Sequence, residues 1–299
     1  MPLEIDAWFF YDPAQPSGQN APVLDAREVQ AAFSAESVRH LGRGAFGETW
    51  RLSGGAFAAD GPVAAKIIHQ EGYPAARLER ETDGLRRTSS PNVVRLLGRH
   101  TITLSVGARP ALLCEFIEGG DVSSAISAGR WPSHTEAQDF AAGVLAGLAA
   151  LHATDTVHRD IKPENIALRD GRWDQPVILD LGLTKQLDID SFTRYPNLLG
   201  TLAFMAPEQI RGEEARKAAD LWALGVVLRI LLAWAHPFFG GWEARVDIND
   251  ALRRVERGAP DLPLDVPEPL RSVAARLLMP IEHERGSARR ALKELERTT

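Results

Sequence analysis

The stretch Val157-His158-Arg159-Asp160-Ile161-Lys162-Pro163-Glu164-Asn165 puts an acid, a lysine and an amide on one short loop. Asp160 can accept a proton from an attacking hydroxyl, Lys162 can neutralise a transferring phosphoryl group, and Asn165 can offer an oxygen to a hard cation. A second oxygen ligand follows in Leu179-Asp180-Leu181-Gly182. Together Asn165 and Asp180 make a donor set suited to magnesium bound with phosphates. Further upstream, Leu41-Gly42-Arg43-Gly44-Ala45-Phe46-Gly47-Glu48-Thr49-Trp50 spaces three glycines so that main-chain amides can approach phosphate oxygens, although a plain glycine hairpin gives the same pattern. No Walker lysine follows it and the next element reads as a strand, which disfavours a P-loop or a dinucleotide fingerprint. Lys66 sits inside the apolar run Val63-Ala64-Ala65-Lys66-Ile67-Ile68. It is either an edge residue reaching water or a buried cation with a fixed anion, for which Glu81 on the next helix is the candidate and Glu79 the alternative register.

These residues need elements to position them. From Val38 to about Phe116, Gly-rich turns alternate with short apolar runs, which predicts a mainly β unit with one helix near Pro74 to Arg87. After Gly119-Gly120 the pattern turns helical. Ser133-His134-Thr135-Glu136 is a capping box, and Phe140, Val144, Leu145, Leu148 and Leu151 behind it fall on one helical face. Asp220 to Trp234 is apolar nearly all round, which predicts a buried helix. Two short strands, Ile166 to Leu168 and Val177 to Leu179, flank a turn containing Asp170-Gly171. Residues 1–35 read as an extension, with an aromatic cluster Trp8-Phe9-Phe10-Tyr11, a turn-rich stretch from Pro13 to Pro22 and a short helix from Leu24 to Phe33.

Composition narrows the setting. Hydrophobic residues make up 44% and charged residues 25% of the 299, as in globular proteins. The formal net charge of −6 argues against a nucleic-acid partner, and no apolar run reaches membrane-spanning length. Cys114 is the single cysteine, and no basic n-region with an apolar stretch opens the chain, so the expectation is cytoplasmic. Only five cations are lysines (Lys66, Lys162, Lys185, Lys217 and Lys293), so a lysine in a motif marks a place where a compact charge is wanted, unless codon bias set the ratio. The arginine- and alanine-rich composition suggests a GC-rich bacterial genome.

Taken in order, the Gly-rich loop, Val63-Ala64-Ala65-Lys66, the His158-Arg159-Asp160 loop, Asp180-Leu181-Gly182 and Ala206-Pro207-Glu208 resemble the eukaryotic-type (Hanks-type) serine/threonine protein kinases over about residues 38–292. The resemblance implies an α+β, bilobal fold: a β-rich N-lobe with one helix (36–117) and a larger α-helical C-lobe (118–299), after the extension 1–35. It implies ATP with magnesium or manganese, and protein substrates with a Ser/Thr acceptor. In it, Gly42, Gly44 and Gly47 cover the phosphates, and Lys66 holds them while paired to Glu81. Asn165 and Asp180 ligate the metal, Asp160 is the base and Lys162 assists it. Thr49 and Ala64 pack on adenine, Cys114 is the gatekeeper, Glu115 and Ile117 offer main-chain bonds, and Asp121 lies near the ribose. Asp220 anchors the catalytic loop, Glu208 pairs with Arg285, and Leu85, Leu96, Leu181 and His158 stack as an internal spine. Lys162-Pro163-Glu164-Asn165 is the serine/threonine form of the loop, and Gly200-Thr201 agrees, with Thr201 contacting Asp160 and Lys162.

Some features depart from the pattern. Leu181 replaces a phenylalanine, Thr49 a valine, and the connection from Lys66 to Glu81 is short. Gly84 weakens its helix by roughly 1 kcal/mol relative to alanine. Arg159 and Lys185 resemble a pocket for a phosphorylated activation-loop residue, for which Thr193 is chosen ahead of Ser191 and Tyr195; an unmodified loop is the alternative. Glu164 either selects a basic residue before the acceptor or is a solvated glutamate. The aromatic N-terminal segment either docks a partner or packs on the small lobe. Two other functions stay in view, an inert pseudokinase scaffold and a small-molecule phosphotransferase. The first is expected to have lost one of Lys66, Asp160, Asn165 or Asp180, and the second to lack Ala206-Pro207-Glu208. Substrate, pathway and oligomeric state are not specified.

Overall fold

The computed structural model describes residues 22–44, 46–70, 73–180, 202–239 and 248–296, with all their side chains except those of Arg77, Arg80 and Glu81. These residues fall into two compact units: 22–89 with 94–116, and 90–93 with 117–296.

In the smaller unit, helix α1 (Ala26–Phe33) precedes strands β1 (Ser37–Arg43), β2 (Gly47–Ser53) and β3 (Val63–Ile68). Helix α2 (Ala75–Arg87) and strands β4 (Leu96–Leu104) and β5 (Gly107–Glu115) follow. The five strands form one antiparallel sheet in the order β1-β2-β3-β5-β4. Alternation along the strands gives the sheet two faces. Trp50, Leu52, Val63, Ala65, Ile67, Ala111 and Leu113 share one, and it is covered by Leu24, Val29 and Phe33 in a common core. Residues 24–35, read from sequence as part of an extension, therefore contribute to this core. Asp25 starts α1 because its Oδ1 accepts the main-chain N–H of Arg27 and Glu28, at 2.7 and 3.3 Å. The other face carries Thr49, Ala64, Lys66 and Cys114, brought side by side by the register pairs Thr49–Lys66 and Ala64–Cys114.

The larger unit contains α3 (Val122–Ser127), α4 (His134–Ala153), the two-stranded ribbon β6 (Ile166–Leu168) and β7 (Pro176–Ile178), and a short α5 (Pro207–Ile210). It continues with α6 (Lys217–Ala233), α7 (Ile248–Glu256), α8 (Leu270–Leu277) and α9 (Ala288–Glu296). The capping box at Ser133 and Glu136 is made in both directions, and Phe140, Val144, Leu145, Leu148 and Leu151 are all fully buried. Helix α6 is buried from Ala219 to Leu232 and packs between α4 and α8. Residues 90–93 belong here because Asn92 bonds to β7: its Nδ2 donates to Pro176 O at 2.8 Å, and its carbonyl accepts from Ile178 N. Gly143 and Gly147 make room, since a Cβ on Gly147 would stand 2.7 Å from Asn92 O.

The turn after Gly119-Gly120 is built by close approach. Gly119 has φ +115°, and a Cβ there would lie 2.1 Å from the main-chain nitrogen of Gly171. Asp170 N donates to Glu118 O at 2.7 Å and Leu168 N to Gly120 O at 2.8 Å, which closes this segment onto the β6–β7 ribbon.

Candidate active site

Asp220, buried in the first turn of α6, organises the loop that carries Asp160. Its Oδ1 accepts the main-chain N–H of Arg159 at 2.7 Å, while Oδ2 accepts from His158 N at 2.9 Å and from His152 Nε2 at 2.8 Å. Aiming two successive N–H groups at one carboxylate requires an unusual backbone. Arg159 sits at φ +69°, a left-handed conformation that costs an L-residue about 1–3 kcal/mol and persists only where its surroundings impose it. The ring of His158 links this loop to the strand end opposite. Its Nδ1 accepts from Asp160 N at 3.2 Å, so Nε2 carries the proton and donates to Leu179 O at 2.6 Å.

Three further bonds gather the chemical groups. Leu179 N donates to Asn165 O at 2.9 Å, and Asn165 Nδ2 donates both to Asp160 O at 2.8 Å and to Asp160 Oδ2 at 3.0 Å. Asp180, the residue after Leu179, is thereby delivered beside Asn165 with φ +40°. Lys162 Nζ lies 3.3 Å from Asp160 Oδ2. Burial works against the Lys162 ammonium, but the carboxylates of Asp160, Glu164 and Asp180 outweigh it and hold its pKa above the ordinary lysine value. Asp160 is thus an oriented, partly exposed carboxylate with a lysine beside it. With Nδ2 occupied, Asn165 has Oδ1 left as an acceptor, which together with the Asp180 carboxylate makes an all-oxygen donor set. The set fits a hard cation such as magnesium or manganese.

This ordered set of an oriented carboxylate, a cation and two oxygen donors stands in a chain of which residues 35–295 match the protein kinase domain family. The chain belongs to the protein kinase family. Kinases similar to it include serine/threonine-protein kinase PkaB of Streptomyces coelicolor, 33% identical over 72% of this chain and 52% of the relative. PkaA of the same organism is 32% identical over 83% of this chain and 47% of its own length. The chain thus spans about half the length of these relatives. A crystal structure of Rad53 in complex with AMP-PNP shares the fold with a TM-score of 0.66 at 24% identity, covering 86% of this chain and 63% of that one. Among the described residues no helix is long and apolar enough to cross a membrane.

In kinase terms the smaller unit holds the residues expected to meet nucleotide. Thr49, Ala64, Lys66 and Cys114 share one sheet face. A Cβ on Gly42 would meet nothing within 4 Å and one on Gly44 only Gly47 O at 3.8 Å, an ordinary contact, whereas a Cβ on Gly47 would stand 2.3 Å from Ile67 O, so of the three close packing requires glycine only at 47. The Glu115 N–H donates to Arg95 O at 3.0 Å. Glu81 lies on α2, its side chain outside the described set. Leu85 and Leu96 are in this unit, and His158 and Ile117 in the larger one. Asp121 caps α3, with Oδ1 accepting from Ser124 N at 2.7 Å.

Glu208 and Arg285 form a buried bidentate pair at 2.6 and 2.8 Å. Arg159 lines a cavity of about 720 Å³ with Arg216, Lys217 and His283. Leu181, Lys185, Thr193 and Thr201 lie outside the described residues, as does the aromatic N-terminal cluster. Three participants were not singled out from sequence: His152, Glu48 and His236. Their spacing carries no motif; their roles come from burial and partners far along the chain.

Proposed function

We propose that this chain transfers the γ-phosphoryl group of ATP to serine or threonine hydroxyls of protein substrates. The Asp160 carboxylate, held by Asn165 and flanked by Lys162, carries the reading. Asp160 accepts the proton of the incoming hydroxyl, and Lys162 offsets charge on the phosphoryl oxygens in flight. Asn165 Oδ1 and the Asp180 carboxylate hold magnesium or manganese, which when bound neutralises the phosphate charge. Lys66, paired to Glu81, and the amides of the Gly42–Gly47 hairpin hold the phosphates. Thr49, Ala64, Cys114, the Glu115 carbonyl and the main chain of Ile117 receive the adenine, and Asp121 meets the ribose. Lys162-Pro163-Glu164-Asn165 and Thr201 support the Ser/Thr acceptor class. Autophosphorylation at Thr193, received by Arg159 and Lys185, completes the reading; intact mass after ATP incubation reads it directly. A reducing, ATP-supplied cytoplasm suits the single cysteine.

Incorporation of labelled phosphate into a generic basic protein tests the central claim. Asp160→Asn keeps the shape of the loop and removes the base, so the rate should fall by about 10²–10⁴-fold. Undiminished transfer by that variant would refute the role assigned to Asp160.

A further inference from the structure

The core face of the small sheet buries one carboxylate among apolar side chains. Glu48 follows Gly47 in β2 and faces the same way as Trp50 and Leu52, under the cover of the N-terminal segment. It is 0% exposed. A carboxylate among such neighbours carries a large desolvation cost unless its oxygens are satisfied. They are satisfied by main chain: Val23 N donates to Oε1, and Leu24 N donates to Oε2 at 3.4 Å. Leu24 is itself buried, and two residues later α1 begins, whose Val29 and Phe33 fill the same face.

The other side of Glu48 is the glycine hairpin. Gly44 N donates to Gly47 O at 2.8 Å, and His69 N and Gln70 N both donate to Phe46 O, at 3.1 and 3.3 Å. A Cβ on Gly47 would stand 2.3 Å from Ile67 O, so the hairpin joins β2 at a close approach to β3. Its height on the sheet follows β2, and β2 is tied from behind at Glu48. Thr49, on the nucleotide-facing side, moves with it.

We propose that Glu48 is a positioning residue for the nucleotide: it straps residues 23–24 to the back of β2 and so sets where the Gly42–Gly47 hairpin meets the phosphates. The inference rests on the proposed function for what the hairpin binds. It makes the segment before α1 a working part of the nucleotide site, and it separates Glu48 from an ordinary core residue, whose loss would weaken the fold without favouring one substrate.

The test uses the full chain and steady-state phosphate transfer at varied ATP. Glu48→Ala removes the acceptor. Val23→Pro removes one donor, and because Val23 is 58% exposed it empties no core. Each should raise the KM for ATP by about tenfold, the scale of a charge-assisted hydrogen bond, with kcat at saturating ATP little changed. The two together should do no more than one alone, because they break one interaction. Glu48→Gln, which keeps an oxygen acceptor, should recover most of the loss, and Val23→Pro covers the case in which Glu48→Ala does not fold. Val29→Ala, cut from the same core but not from the strap, should lower Tm and leave the KM where it was. If Val23→Pro, and Glu48→Ala where it folds, lower Tm like Val29→Ala while KM stays fixed, the strap has no positioning role. Wild-type turnover in the same assay separates the two claims: no transfer refutes the proposed function itself, whereas transfer with unmoved KM refutes only the role of Glu48.

Discussion

Asp220 carries three hydrogen bonds on two oxygens, and each bond does something different. The two to His158 N and Arg159 N bend the loop through a left-handed residue just before Asp160, and the third holds the end of α4 at His152. Asp220→Asn is nearly isosteric but turns one acceptor into a donor facing another N–H. Hydrogen bonds to a charged group contribute about 1.5–3 kcal/mol, so urea unfolding should show a loss of that size. With Arg159 released, phosphate transfer should fall further than stability does, in kcat more than in the KM for ATP. An unchanged kcat would mean that the loop keeps its shape without Asp220. At this scale much was legible. Asp160, Lys162, Asn165 and Asp180 could be singled out as a group because their chemistry lies in type and local spacing, and the loop does bring Asp160, Lys162 and Asn165 together. Glu48 and His236 could not, because a buried carboxylate and a buried imidazole look like surface residues until their partners, 25 and 33 positions away, are known.

Arg285 joins elements that sequence order keeps apart. All five of its donors are used: Nε to Met279 O at 2.8 Å, Nη1 to Glu208 Oε1 at 2.6 Å and Ala218 O at 3.1 Å, and Nη2 to Glu208 Oε2 at 2.8 Å and Pro280 O at 3.1 Å. Its guanidinium also lies 5.0 Å from the Trp222 ring centroid. Lysine has one nitrogen and cannot reproduce the fork, so Arg285→Lys should destabilise the protein by about 3–5 kcal/mol, the scale of a broken buried pair, in denaturant unfolding. His236 is a second link, between the end of α6 and the segment before Ala206-Pro207-Glu208. Its Nδ1 accepts from Phe238 N and Phe239 N, both at 3.2 Å, and Nε2 donates to Ala203 O at 3.0 Å, an arrangement that only the neutral ring can make. Burial pushes its pKa down to about 4, against the smaller upward pull of the Ala203 carbonyl. The unfolded ring, near 6.5, therefore binds a proton that the folded ring refuses. Stability is full above about pH 6.5 and declines as pH falls toward 4, by about 2–3 kcal/mol in all. His236→Gln should be less stable at neutral pH and flatter over that window; an equally steep slope would assign the acid sensitivity elsewhere. Elements with strong signals were read well, α4 with its cap and apolar stripe above all. The start of α6 was read three residues late, at Asp220 instead of Lys217, because no side chain caps it and its first turn lacks the apolar pattern.

At the scale of the molecule, the sequence suggested successive blocks, and the chain does not fold in blocks. Asn92 bonds across 84 positions to Pro176, which assigns 90–93 to the larger unit, while α1 joins the core of the smaller one. Pattern and composition report local preference and say nothing of such returns. The division has a thermodynamic consequence for the proposed function: each unit has its own buried core, and the residues proposed to bind nucleotide and metal are Lys66 and the glycine hairpin in one and Asn165 and Asp180 in the other. A ligand held by groups from both adds stability to both. At 100 times its Kd, ATP with magnesium should add about 2.7 kcal/mol, raising the thermal midpoint and bringing tryptophan fluorescence and circular dichroism transitions into coincidence. Removing magnesium with a chelator should cancel most of that gain. In Asp180→Asn the chelator should make little difference, because the metal has lost a charged ligand, while the part of the shift due to nucleotide alone remains. A magnesium-dependent shift as large in Asp180→Asn as in the unaltered chain would place the metal on other ligands and leave Asp180 without its proposed task.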